Sequence, residues 1–240
     1  MNPKALLLLG LLLGALSFCP ACAHWSNVPF PFDFNRFKDQ PIPEDVAPWL
    51  KGGEQSSVTT RIKKVAQKIS GDNRRERLFR AMQYVWKVFS YDRRLNTEKF
   101  KRTADELFKS RILGGCSDYA LAEITLFRAL GIPARMVVTA NVDWMYQYQQ
   151  DRLSMTEGHS FIEVFLEDSW YLVDSTYRLF FTHYNPALGS YPHGEYFCGR
   201  GRDFWDMGLR SGQDLDRMLG EQALNYGRGF KEPSYPRYPI

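Results

Sequence analysis

The chain has 240 residues, 44% of them hydrophobic and 15% aromatic, with 17 Phe, 13 Tyr and 6 Trp. That composition can bury a core, which excludes a disordered chain, and four cysteines in this length are too sparse for a disulfide scaffold. A net charge of +4, from 31 basic and 27 acidic side chains, is too weak to argue for nucleic acid, which calls for a concentrated basic face.

Residues 1–23 read as a secretory signal peptide. Lys4 is the lone charge, Ala5 to Leu16 is an apolar run, and Ala21-Cys22-Ala23 fits a small-residue cleavage site before His24. The run is shorter than the roughly 20 residues that a membrane helix needs, and a lipid-anchored cysteine is the other alternative, which Phe18 before Cys19 and the spacing of Cys19 and Cys22 fit poorly. Cleavage would remove Cys19 and Cys22, leaving Cys116 and Cys198 in a protein expected to be secreted or periplasmic, with no membrane span. Residues 24–55 then carry Pro29, Pro31, Pro41, Pro43 and Pro48 and close on Gly52-Gly53, a density of proline that blocks regular helix. Their aromatics (Trp25, Phe30, Phe32, Phe34, Phe37, Trp49) favour an N-terminal arm that packs on the domain.

Residues 56–182 are expected to form the main folded domain. Leu78, Phe79, Met82, Val85, Trp86 and Phe89 repeat with helical period over 73–89. Arg74, Arg75, Arg77 and Arg80 on this helix read as a solvated face with Glu76 among them. Thr103 to Glu106 matches a capping box and starts a short helix ending near Ile112. Gly114-Gly115 breaks the chain before Cys116, and an apolar helix follows to Leu130, stopped by Gly131 and Pro133. Strand-like runs occupy 134–142, 160–166, 170–174 and 177–182, while 143–158 has no period and reads as a long loop. Residues 183–240 form a Gly- and aromatic-rich extension, with one helix predicted over 213–225, starting at Ser211 or Asp214, and the remainder wrapping the surface.

The chemistry concentrates in three residues. The beginning of a helix stabilises an anion, so Cys116 is placed to become a thiolate, and a preceding Gly-Gly would let a substrate backbone approach. A thiol nucleophile needs an imidazole as partner, and the imidazole needs an orienting group. His159 opens one predicted strand and Asp174 closes the next. Joined by the turn Glu167-Asp168-Ser169, antiparallel strands make these two cross-strand neighbours. Singly, each has a plain reading: a buried thiol, a structural histidine, a turn-capping aspartate. Together, in these positions, they compose a Cys-His-Asp triad. His24, His183 and His193 show no metal-ligand spacing. Asp118 and Glu163 either brace the helix or line the cleft, Tyr91 and Trp86 are candidate oxyanion donors, and Cys198 is either a buried free thiol or a disulfide partner of Cys116.

The stretch Gly114-Gly115-Cys116-Ser117-Asp118-Tyr119-Ala120, with Arg128-Ala129-Leu130-Gly131-Ile132-Pro133-Ala134-Arg135, resembles the cysteine-helix block of the transglutaminase-like superfamily. Gly158-His159-Ser160-Phe161-Ile162-Glu163-Val164 resembles its histidine strand, and Trp170-Tyr171-Leu172-Val173-Asp174-Ser175-Thr176 its aspartate strand. The resemblance implies a papain-like α+β fold, with the nucleophile at a helix start packed on an antiparallel sheet, and thiol acyl transfer through a thioester. The expected function is a secreted cysteine-dependent amide hydrolase or acyltransferase with Cys116, His159 and Asp174 catalytic. Its substrate would be a peptide or protein, cell-wall peptide included, and the chemistry requires no cofactor or metal. Protease or amidase action is favoured over cross-linking. The alternative is a non-catalytic protein- or cell-wall-binding module on the same fold.

Overall fold

The computed structural model describes residues 34–152 and 155–227; the leader, His24 and the first aromatics of the arm lie outside them. Short 3-10 turns at Phe34–Arg36 and Ala47–Leu50 lead into helices α1 (Thr60–Ala66) and α2 (Arg74–Val88). A two-residue strand β1 (Ser90–Tyr91), a 3-10 turn (Arg93–Glu98), helix α3 (Ala104–Ser110) and strand β2 (Ile112–Leu113) follow, with β1 and β2 pairing in parallel. Helix α4 (Cys116–Ala129) and strand β3 (Ala134–Asn141) come next. Helix α5 (Val142–Gln149) leads to β4 (Gly158–Leu166), β5 (Ser169–Asp174) and β6 (Leu179–Phe181). Strand β7 (Ser190–Tyr191), a 3-10 turn (Pro192–Gly194), β8 (Glu195–Gly201) and helix α6 (Gly212–Asn225) complete the described chain.

The fold is α+β: helices cover one face of a six-stranded antiparallel sheet of order β6-β5-β4-β3-β8-β7. Several local expectations match. Asn73 caps α2 by accepting the Glu76 N–H, Thr103 and Glu106 form the capping box of α3, and Ser211 caps α6. Helix α4 is buried on nearly every side, with Leu121, Ile124, Leu126 and Phe127 fully or almost fully enclosed. Burying each such side chain stabilises by about 1.5–3 kcal/mol, which makes α4 the spine of the core. Met136, Ile162, Val164 and Val173 meet it from the sheet, while Val137, Phe161 and Leu172 form a smaller cluster on the opposite face.

Four expectations are corrected. Residues 142–149 are a helix, capped by Asn141 and carrying Trp144 and Met145 into the core, where the sequence suggested a loop. Strand β6 begins only at Leu179, because Asp174 to Tyr177 make a turn. The C-terminal region does not merely wrap the surface: β8 is an inner strand hydrogen-bonded to β3. Arg75 is not solvated; it is buried, pairs with Glu167 and lies over Phe37, Tyr171 and Phe180.

Residues 49–56 are fastened to the core by polar contacts. Arg128 of α4 donates to the Trp49 and Ala134 carbonyls and to Ser56 Oγ. Ser56 donates from its backbone N–H and its hydroxyl to Asp203 Oδ2, at 3.0 and 2.9 Å. A Cβ on Gly53 would stand 2.3 Å from that same carboxylate, so only glycine fits beneath it.

Candidate active site

Antiparallel pairing puts the C-terminal ends of β3 and β5 and the N-terminal ends of β4 and β8 at one end of the sheet, and the start of α4 faces this end. The Val173–Ile162 pair closes the β4–β5 ladder, so Asp174 lies one position past the pairing, with His159 diagonal to it. His159 Nε2 is 3.0 Å from Asp174 Oδ2, within ion-pair distance although the ring N–H is not aimed squarely at that oxygen. The imidazole also interacts with the Cys116 thiol, which the Ser160 side chain and the Ser117 N–H reach as well. The structure thus brings Cys116, His159 and Asp174 together from α4, β4 and β5.

The electrostatics favour charge separation between thiol and imidazole. Burial opposes the Cys116 thiolate, but hydrogen bonding to His159 and its charge, with help from Ser160 and Ser117, pull its pKa below the ordinary thiol value. Burial likewise opposes the imidazolium, yet the close approach and charge of Asp174 and the contact with Cys116 raise His159 to about 10. Asp174 is buried, but His159 and His193 hold it down to about 2. A thiolate–imidazolium pair leaning on an ionised carboxylate is the arrangement needed to attack a carbonyl. Asp174 Oδ1 is separately fixed by the Thr176 and Tyr177 N–H groups, at 3.0 and 3.1 Å.

Other residues fall into place around this centre. Asp118 accepts the Gly114 N–H and pairs with Arg102, bracing the chain that enters α4. Glu163 is fully buried on the opposite sheet face and is bound by Arg135, Arg200, Tyr184 and Tyr191, so it braces and does not line the cleft. Trp86 donates its indole N–H to the Ser175 carbonyl and is sandwiched by Tyr119 and Arg178, which removes it as an oxyanion donor. Tyr91 is exposed. The Gly114-Gly115 pair has a packing cause: added Cβ atoms would stand 2.7 Å from the Leu95 carbonyl and 2.9 Å from Asn96 Oδ1. Cys198 is a free buried thiol whose pKa burial raises to about 12, and Cys116 is also free, so the two are not bridged. Among the described residues no His, Cys, Asp and Glu cluster could hold a metal ion.

Three acidic or basic neighbours escaped sequence reasoning. Glu123, two turns along α4 from Cys116, is fully buried beside Ser175 and Asp174, with neither carboxyl oxygen well bonded. Glu195 accepts the Thr139 hydroxyl at 2.8 Å and senses His159, His193 and Asp174. His193 places Nε2 3.6 Å from Asp174 Oδ2. The helical spacing of Glu123 from Cys116 was the available signal for that residue; no local pattern marks the other two.

Residues 63–175 match the family model described as the transglutaminase-like superfamily. A solved structure described as a candidate cysteine protease from Cytophaga hutchinsonii aligns with a TM-score of 0.53 and 20% identity, over 72% of this chain and 53% of that one, a likeness of fold. A structure described as a TGase is 18% identical with a TM-score of 0.35, over 75% of this chain and 50% of that one. The chain therefore spans about half the length of these two structures. No curated protein matches it.

Proposed function

We propose that the chain, whose residues 63–175 match the model of the transglutaminase-like superfamily, is a cysteine-dependent enzyme, an amide hydrolase or acyltransferase working through a thioester. The observation that carries this is the meeting of Cys116, at the start of α4, with His159, whose Nε2 stands 3.0 Å from Asp174 Oδ2, in surroundings that favour a thiolate beside an imidazolium. The Cys116 thiolate attacks the amide carbonyl carbon, forming a C–S bond and a tetrahedral oxyanion. Collapse breaks the C–N bond as protonated His159 gives its proton to the leaving amine. Neutral His159 then takes a proton from water, whose oxygen attacks the thioester and returns the thiolate. Asp174 orients the ring and supports its charge throughout.

Hydrolysis is favoured over cross-linking as the simpler outcome, since transamidation requires a cleft that excludes water and selects an amine. A peptide or protein amide, cell-wall peptide included, is the proposed substrate. The leader-like residues 1–23 support action outside the cytoplasm.

Alkylation at pH 6, where an ordinary thiol of pKa about 8.5 is mostly protonated, tests the thiolate directly. Wild type should react rapidly at Cys116 alone, with Cys198 labelled only after unfolding, as peptide mapping would read. Cys116→Ala should not label in the native state, and His159→Ala should slow labelling about 100-fold, at the lower end of what acid–base partners contribute. Equal rates for wild type and His159→Ala would turn the proposal toward a binding module.

A further inference from the structure

Asp174 presents its two oxygens to different partners. Oδ1 is committed to the turn that follows β5, through the Thr176 and Tyr177 N–H groups. Oδ2 faces two imidazoles, His159 Nε2 at 3.0 Å and His193 Nε2 at 3.6 Å, and makes no well-directed hydrogen bond to either. A carboxylate oxygen has two lone pairs, so both N–H groups can be accommodated at once. The carboxylate is wholly buried and the His159 side chain is 12% exposed, whereas the His193 side chain is 44% exposed.

The loop that delivers His193 is built to reach that spot. Tyr191 and Glu195 pair as the last rung of the β7–β8 hairpin, and Pro192, His193 and Gly194 close it. His193 and Gly194 are consecutively left-handed, with φ of 66° and 72°, a conformation that non-glycine residues adopt at a cost. The hairpin is two strands away from β5, so the loop must cross the ends of β3 and β4 to approach Asp174. Its base is anchored by Tyr191, whose hydroxyl donates to buried Glu163 and whose ring packs on Phe161. Tyr177 bridges the two imidazoles, its ring 5.8 Å from His159 and 5.3 Å from His193.

We propose that His193 is a positioning residue of this site, taking the second lone pair of Asp174 Oδ2 and holding that oxygen toward His159. The inference rests on the thiol chemistry proposed above. His193 has no part in the bonds made or broken; it acts through Asp174. The charged and titratable groups that face His193 are Asp174 and, in the turn after β5, Tyr177, with Glu195 on β8; around Asp174 itself stand His159 on β4 and Glu123 on α4. Three carboxyl groups, from Glu123, Asp174 and Glu195, thus share one end of the sheet with the two imidazoles.

The test is the rate of Cys116 alkylation by iodoacetamide at fixed pH, read on the full chain with the melting temperature as control. His193→Ala should slow alkylation five- to tenfold without lowering the melting temperature, and His193→Gln, whose amide N–H also reaches Oδ2, should restore the rate to within twofold. In an Asp174→Ala background, His193→Ala should change nothing further. A His193→Ala rate equal to wild type, a failure of Gln to rescue, or an undiminished effect without Asp174 would overturn the inference. A wild-type thiol that reacts no faster than free cysteine would instead overturn the enzymatic proposal beneath it.

Discussion

Glu123 is a carboxyl group enclosed on all sides, and its proton is held by the fold. Desolvation is the largest influence, opposed by a contact with Ser175, reinforced by the charge of Asp174 and opposed again by Arg178, and together these raise it from 4.5 to about 8. The folded protein therefore keeps a proton that the unfolded chain has already lost, so stability from this group is complete below about 4.5 and declines until about 8. Glu123→Gln should remove that decline: the variant's stability relative to wild type should grow between pH 5 and pH 9, by an amount on the order of a few kcal/mol. Thermal melts across that range give the answer, and a difference that does not vary with pH would contradict it. At this scale the sequence exposed residues whose role is tied to a local element: Cys116 at a helix start, His159 and Asp174 at strand ends. His193 was illegible because its meaning depends on a loop crossing two strands, a relation that no spacing along the chain encodes.

Elements position the site by packing close to it. Helix α6 lies against the start of β4, where a Cβ on Gly158 would stand 2.4 Å from the Thr139 carbonyl oxygen and 2.8 Å from Leu219. Glycine there lets β3, β4 and α6 meet immediately before His159. Gly158→Ala should push β4 away from β3, costing about 1–3 kcal/mol of stability as overpacking does, and should slow Cys116 alkylation by moving the imidazole. Retention of both the melting temperature and the wild-type rate would count against this. Helix α5 supports α6 in turn: Gln149 donates to the Ala223 and Tyr226 carbonyls, and the Tyr148 hydroxyl fills the space left by Gly220. Its signals were short-range, an Asn141 cap and the pair Trp144 and Tyr148 one turn apart. The amphipathic stripe was too short to stand out over eight residues, and tertiary contacts with α6 complete the helix.

For the whole molecule, the order of strands decides what can fold alone. Strand β3 lies between β4 and β8, so residues 195–201 cover one of its two edges. A chain ending at residue 182 would leave β3 as a long apolar edge carrying Val137, Val138 and Ala140, which invites edge-to-edge association. That shortened chain should appear in aggregates or as oligomers by size-exclusion chromatography, whereas residues 34–227 should behave as a folded unit; a monomeric, cooperatively melting shortened chain would refute it. Residue pattern revealed four of the six strands of the main sheet, because apolar runs are written locally, and the α+β class came from the family resemblance of the three blocks. Neither revealed that a late Gly- and aromatic-rich segment enters the sheet, since partner choice among strands is settled by packing across the molecule.

The position of β8 also sets a schedule. The framework that holds His159 against Cys116 is closed only when nearly all of the described chain has emerged, because β3 must wait for its second neighbour. If residues 1–23 direct export as proposed above, a polypeptide threading a membrane channel with its leading end first would travel with its thiol beside no finished base. Reactivity would then be acquired at the destination, and strand order would act as a delay between synthesis and chemistry.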